Sequence, residues 1–525
     1  MSDDYSEMSD DELWNRLNES DTFEKGQILF QLHHRKTHEG EYRTALACAE
    51  QAVEVFTGTI YSREVAIAKQ LIGHSQLALK DYETAIKFYK ESADISVSCG
   101  ADGDTALSEN WIGEAYWRQD DFENAALHYK SSAEIFISID DNHGAAMSAR
   151  EEGDSYMQLG KFHDAIHSYL RSIEHAKAAE HPHQIYNGYF NLTYAWIATS
   201  SPQEALDSAE KALAIAKTCS CPRCEIEADA LLGEAQLING DFAQALVNLE
   251  KARKSYYDRS DTKRQASVLT EIGLCHIASN PKKAREHLRQ ALTLADLFPR
   301  RLRTKVRTNV GLGILELFDE RFESASEYFA VAYLTSQEIG RLKAERHAML
   351  PYYFDALLGI EEAEQVINIL EDVSSEKDPW LLLDGLRYAY AAKAHLMMEN
   401  TSLALAAANA GLLIDDETQT NEECRAVFHH IRAQALKSSD PHSALMSAHK
   451  AMAYYLETDQ PEMAKLVGQS AVIEPDRRVT AIAAHEDSRN TYEELFGVVD
   501  PIAEQVDGLM AQVDPTQQVE EGGVA

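Results

Sequence analysis

The sequence predicts an all-α fold, a solenoid of antiparallel helix pairs, and three observations carry that prediction. Glycine recurs at one constant interval, at Gly73, Gly113, Gly153, Gly233, Gly273 and Gly313, with Thr193 in the missing slot. An alanine follows at a fixed offset: Ala85, Ala125, Ala165, Ala205, Ala245 and Ala325, with Ala284 one residue early. A turn stands just before each alanine: Asp81-Tyr82, Asp121-Phe122, Lys161-Phe162, Ser201-Pro202, Asp241-Phe242, Asn280-Pro281 and Arg321-Phe322. A fixed period of this length is the signature of stacked supersecondary units, each burying its apolar face on its neighbours.

The elements follow in chain order. Ser9 and Glu12 form a capping-box pattern that opens a short helix through Leu17, inside an acidic segment over residues 1–23. The solenoid is expected over residues 24–456, and its first copy shows as Glu41-Tyr42, Ala45, Ala49 and Ala52, with His33 in the glycine slot. In the unit from Arg63 to about Val97, Val65, Ile67, Leu71, Ile72 and Leu77 recur at three- and four-residue spacing, as an amphipathic helix requires. After Asp81-Tyr82, Ala85, Ile86, Tyr89 and Ala93 share one face of a second helix. Glycine inside a helix costs roughly 1 kcal/mol relative to alanine, so its recurrence needs a packing reason. The reading here is that Gly73 and Ala85 let two backbones approach, while Tyr89, Tyr129, Tyr169 and Phe329 fill the gap between neighbouring pairs. Degenerate copies continue through Ala404, Ala408 and Gly411, then through Ala444, Ala448 and Ala451. A C-terminal helical cap is expected over 457–495 and an acidic disordered tail over 496–525, with a further helix read from Ser488 to Phe496 at their junction.

The pattern Gly-x2-(aromatic or apolar), then Ala-x3-(Tyr/Phe)-x2-(Ala/Ser), resembles the tetratricopeptide repeat. The match is clear from about residue 63 to residue 335. Its 40-residue period is longer than the family's common one, as in the extended repeats of kinesin light chains and of bacterial peptide-sensing regulators. The resemblance implies a right-handed superhelix of about ten to eleven repeats, the last three degenerate. It also implies a concave wall built from the first helix of each pair, and a protein or peptide partner.

Charge and composition narrow the function classes. The net charge is −37, which disfavours nucleic acid and anionic membranes as partners. No apolar run is long enough for a membrane helix, and the acidic start is unlike a signal peptide, so a cytoplasmic location is expected. Seven scattered cysteines suit a reducing compartment. Phosphate-binding loops, HExxH and GxSxG are all missing from the sequence, so no catalysis and no cofactor are expected.

Three surfaces stand out. By phase with the glycine, Asn110, Trp111, Glu114, Trp117, Arg118, Arg150, Glu151, Asp154, Asn187, Asn191, Tyr194, Glu227 and Glu234 fall on the implied concave wall. Asparagine and arginine grip peptide backbone or carboxylate, and tryptophan gives a broad anchor. Residues 251–307 carry fifteen basic side chains against five acids, including Lys282, Lys283, Arg300, Arg303 and Arg307, a band that would attract an anionic partner. Cys219, Cys221 and Cys224 lie in one inter-repeat loop, and His183 lies one period earlier, a set with the donors for zinc although no metal is the expected state. The preferred reading is a non-catalytic scaffold or adaptor that binds a protein segment in the groove or on the basic band. The alternatives are a peptide-responsive regulator without a DNA-binding module, there being no room for one before the first repeat, and a self-assembling protein in which a second copy is the partner.

Overall fold

A computed structural model describes residues 5, 8–17, 19–219, 221–298, 302–338, 340–374, 384–418, 422–458 and 460–470. The expected helix at Ser488–Phe496, the tail over 496–525 and Arg300 lie outside the described residues.

Among the described residues the chain forms 24 α-helices and no strand. They are α1 (Asp10–Leu17), α2 (Thr22–His38), α3 (Tyr42–Phe56), α4 (Ser62–Ala78), α5 (Tyr82–Ser98), α6 (Asp102–Arg118), α7 (Phe122–Ser138) and α8 (Asn142–Gln158). Next come α9 (Phe162–Ala178), α10 (Pro182–Ala198), α11 (Pro202–Thr218), α12 (Pro222–Ile238), α13 (Phe242–Asp258), α14 (Thr262–Cys275), α15 (Pro281–Asp296) and α16 (Leu302–Phe318). The remainder are α17 (Phe322–Gln337), α18 (Lys343–Gly359), α19 (Ala363–Ser374), α20 (Asp384–Met397), α21 (Thr401–Thr418), α22 (Glu422–Leu436), α23 (Pro441–Glu457) and α24 (Pro461–Ser470). From α2 to α23 they read as eleven successive helix pairs. By contact the chain divides into two compact units, residues 1–312 with 331–346, and residues 313–330 with 347 onward.

Within the first unit the 40-residue repeat is two equal halves. Helices α4 to α13 share one length, and their first residues are evenly spaced: Ser62, Tyr82, Asp102, Phe122, and so on to Phe242. Every described joint between them uses the same turn, with one residue in the left-handed region: Lys80 (φ 65°), Gly100 (70°), Asp120 (60°), Asp140 (60°), Gly160 (72°), Glu180 (50°), Ser200 (56°) and Gly240 (87°). At the first of these, the Lys80 N–H donates to Leu77 O at 3.1 Å and the Asp81 N–H to Gln76 O at 2.9 Å. This pair of bonds is the Schellman closure, which satisfies carbonyls that a helix end leaves free. Asp81 then opens the next helix, its carboxylate accepting from the Thr84 N–H at 3.2 Å. Asp121, Asp141 and Asp261 do the same for Asn124, Gly144 and Arg264. One residue thus ends one helix and caps the next, which is why the joints are so short.

The glycines hold aromatic rings. A Cβ on Gly113 would stand 2.9 Å from the Tyr129 ring, on Gly153 2.6 Å from Tyr169, and on Gly313, in the second unit, 2.8 Å from Phe329. The ring therefore fills the space of its own pair's glycine, not only a gap between pairs. Close backbone approach matters where the ring is missing: at Gly233 the site is filled by Leu249 at 2.6 Å and Ala245 O at 3.2 Å. Where alanine stands in the ring's place, the glycine slot holds something larger. Thr193 matches Ala209 and His33 matches Ala49, and all four are buried. A second register runs beneath the first. Ser92, Ser132 and Ser172 donate to Ala66 O, Ala106 O and Ala146 O at 2.8, 2.8 and 2.7 Å, tying each second helix to its first. In the second unit, Gly411 takes the ring of Phe428, and Ala404, Ala408, Ala426 and Ala433 are buried on the helix faces nearby.

Candidate functional site

In the first unit the first helices of successive pairs touch one another: α2 with α4, α4 with α6, α8 with α10, α10 with α12, and α12 with α14. They form one wall, and the polar residues that follow the glycine in phase gather on it.

A connected network spans α6, α8 and α10. Asn110 Nδ2 donates to Glu151 at 2.7 Å and to Ser148 Oγ at 3.2 Å. Arg150 pairs with Asp154 at 2.6 Å and with Glu151 at 3.0 Å. Asp154 also accepts from the Tyr169 hydroxyl and from Asn191 Nδ2, both at 2.8 Å. Burial pushes the carboxyl pKa of both Asp154 and Glu151 up, against the pull of Arg150. At the α6 end Glu114 accepts from the Tyr129 hydroxyl at 3.2 Å and pairs with the exposed Arg118 at 2.6 Å. Asn187 lies farther along α10, 3.3 Å from His183 Nδ1.

A second network joins α10, α12, α14 and α16 to the start of α18. Arg303 reaches Glu234 at 2.6 Å and Glu345 at 2.5 Å, and its guanidinium carbon lies 5.1 Å from the centroid of the Tyr194 ring. Arg307 holds Glu271, with its Nε at 2.9 Å. Burial opposes the charged form of Glu234, but Arg303 and Arg307 outweigh it and hold its pKa below the ordinary value. The register also changes here: this repeat carries Leu249 where Tyr129 and Tyr169 stand in earlier ones, and the Tyr194 hydroxyl, on the preceding first helix, joins Arg303 in holding Glu234 charged.

Several sequence expectations need correction. Arg303 and Arg307 do share a face, but it turns inward and its charges meet Glu234, Glu345 and Glu271 rather than solvent. Long basic side chains can be buried there because acids on facing helices neutralise them. Lys251 pairs with Asp229 at 2.8 Å and Lys305 with Asp296 at 3.0 Å, which neutralises more of the band. Lys282 and Lys283 remain exposed on the first turn of α15. The two tryptophans are half-buried in packing contacts. Trp111 stacks on Tyr89 with centroids 6.3 Å apart and meets His74 at 4.3 Å. Trp117 packs edge-on against Phe122 at 5.0 Å. Glu227 is held between Arg223 and Arg264. His183 sits by Tyr186 and Asn187, while Cys221 and Cys224 contact each other. Among the described residues no three or more His, Cys, Asp or Glu side chains gather as a metal would need.

Sequence reasoning misses Glu345 and Glu271. Glu271 has a signal, since it follows Glu151 and Asn191 in phase. Glu345 has none, because it lies past the last clear copy of the repeat.

These elements define the class, a solenoid of tetratricopeptide-like helix pairs with a polar inner face. Residues 66–96 match the model of the tetratricopeptide repeat. The fold is similar to the apo form of the quorum sensor NprR from B. thuringiensis, at 13% identity over 62% of this chain and 91% of that one, TM-score 0.46. It is similar to the APC/C hetero-tetramer Cut9–Hcn1, at 13% identity over 93% of this chain and 96% of that one, TM-score 0.41. It is also similar to BtubC (BKLC) from P. vanneervenii, at 18% identity over 39% of this chain and 86% of that one, TM-score 0.36. No curated protein matches the chain. No helix among the described residues is long and apolar enough to cross a membrane.

Proposed function

We propose that the chain is a non-catalytic, cytoplasmic scaffold that binds an extended segment of a protein partner along the inner faces of α6, α8 and α10. The observation that carries this reading is the Asn110–Glu151–Arg150–Asp154–Asn191 network. Side chains from three consecutive first helices are fixed by one another yet half-exposed. Groups already oriented lose little entropy when a ligand arrives, and an asparagine amide offers both a donor and an acceptor to peptide backbone. Glu114, Glu151 and Asp154 outnumber Arg118 and Arg150 on this stretch, so the favoured segment is neutral to basic.

The test is affinity purification from the native cell, with the full chain and an Asn110→Ala/Asn191→Ala variant as baits. The variant should keep its helical circular dichroism and lose the specific partners. Partners retained at wild-type levels by a folded variant would overturn the reading.

A further inference from the structure

Cys221-Pro222-Arg223-Cys224 spans the start of α12, with Cys221 at the end of the loop after α11 and Cys224 in the first turn of the helix. Cys221 is the N-cap of α12, and its sulfur accepts from the Cys224 N–H at 3.3 Å. The Cys224 thiol points at the same sulfur, with the two Sγ atoms 2.6 Å apart. A disulfide needs about 2.05 Å, so bonding requires only a small closing movement. The two thiols sit in unlike surroundings. Cys221 is half-exposed, whereas Cys224 is 4% exposed in a core with Tyr186, Ala209, Ala212 and Leu231.

We propose that Cys221 and Cys224 are a reversibly oxidised dithiol, with Cys221 the attacking thiolate and Cys224 the resolving thiol. The environment assigns the roles. The Cys224 thiol and backbone N–H both donate to Cys221 and lower its pKa, while burial and the same thiol contact push Cys224 up to about 12. The oxidant is a peroxide. The Cys221 thiolate attacks one oxygen of hydrogen peroxide; the O–O bond breaks, and hydroxide leaves and takes a proton to become water. Cys221 is then a sulfenic acid. The Cys224 sulfur attacks the Cys221 sulfur, the S–S bond forms, the S–O bond breaks, and the Cys224 proton leaves with the hydroxyl as a second water. Two thiols are oxidised and one peroxide is reduced to two waters. A small dithiol returns the pair by thiol–disulfide exchange.

The experiment uses the full chain, reduced and then titrated with hydrogen peroxide. Free thiols are alkylated, and the digest is read by mass spectrometry. A Cys221–Cys224 disulfide should form first, in the wild type and in Cys219→Ser alike. Cys224→Ser should stop at a sulfenic acid on Cys221 that dimedone traps. In the untreated protein near pH 7, iodoacetamide should label Cys221 roughly threefold or more faster than the exposed Cys99. Cys221→Ser keeps an acceptor at the N-cap and should fold. In that variant Cys224 should stay reduced. The proposal is overturned if the first disulfide uses Cys219, if Cys221 reacts no faster than Cys99, or if Cys224 oxidises equally well without Cys221.

Discussion

The ring of Tyr169 occupies the space over Gly153, where a Cβ would stand 2.6 Å from a ring carbon, and its hydroxyl meets the next residue, Asp154, at 2.8 Å. Packing and polar placement are thus one device. The absence of a side chain at Gly153 admits the ring, and the ring's far end fixes an acid on the inner wall.

Gly153→Ala should therefore destabilise the α8–α9 pair by about 1–3 kcal/mol through overpacking, even though alanine is the better helix former. In a Tyr169→Ala background the same substitution should be neutral or stabilising. Urea unfolding of the four proteins in a double-mutant cycle gives the coupling. Equal costs in both backgrounds would show that the ring is not what the glycine accommodates. The matched pairs Thr193/Ala209 and His33/Ala49 are natural instances of this exchange of volume.

Stability should fall in mild acid, and His33 should account for part of the fall. His33 is 3% exposed, with Nε2 3.1 Å from Leu71 O and 3.0 Å from Ser75 Oγ. Burial lowers its pKa from the ordinary 6.5 to about 4. The unfolded chain binds a proton as pH drops through about 6.5, and the folded chain does so only near 4. The stability linked to neutral His33 is therefore present above pH 6.5 and drains as pH falls toward 4, by up to about 3 kcal/mol. His33→Gln should show a shallower loss than the wild type when urea midpoints are compared at pH 7.5, 6 and 5. Parallel pH profiles would remove His33 from the account.

Arg303→Met should cost about 2–4 kcal/mol, because Glu345 would lose the guanidinium that faces it and Glu234 would lose its strongest cationic partner and keep only the weaker pull of Arg307. Adding Glu234→Gln and Glu345→Gln should recover most of the loss. With Arg303 gone, burial raises the Glu234 pKa, so the single variant's deficit should shrink as pH falls from 8 to 5. Hydrogen exchange in α12 and at the start of α18 reads the effect locally. An Arg303→Met protein with unchanged protection in both segments would show that the bridge contributes nothing there.

The helix pairing and its phase are legible along the chain alone. Glycine at one fixed offset from an aromatic, with an Asp or Pro turn between, is a local pattern, and local turn chemistry suffices to set each joint. The same phase brought Asn110, Glu114, Arg150, Asp154 and Asn191 onto one wall, because a constant repeat places equivalent residues in equivalent positions. Which charges meet, by contrast, emerges from the packing of distant helices. Arg303 and Arg307 read as a basic band along the chain, yet their partners lie on α12, on α14 and at the start of α18. Whether a charge faces water or an acid depends on how successive pairs stack, and that rotation accumulates from many small packing choices that no single motif records.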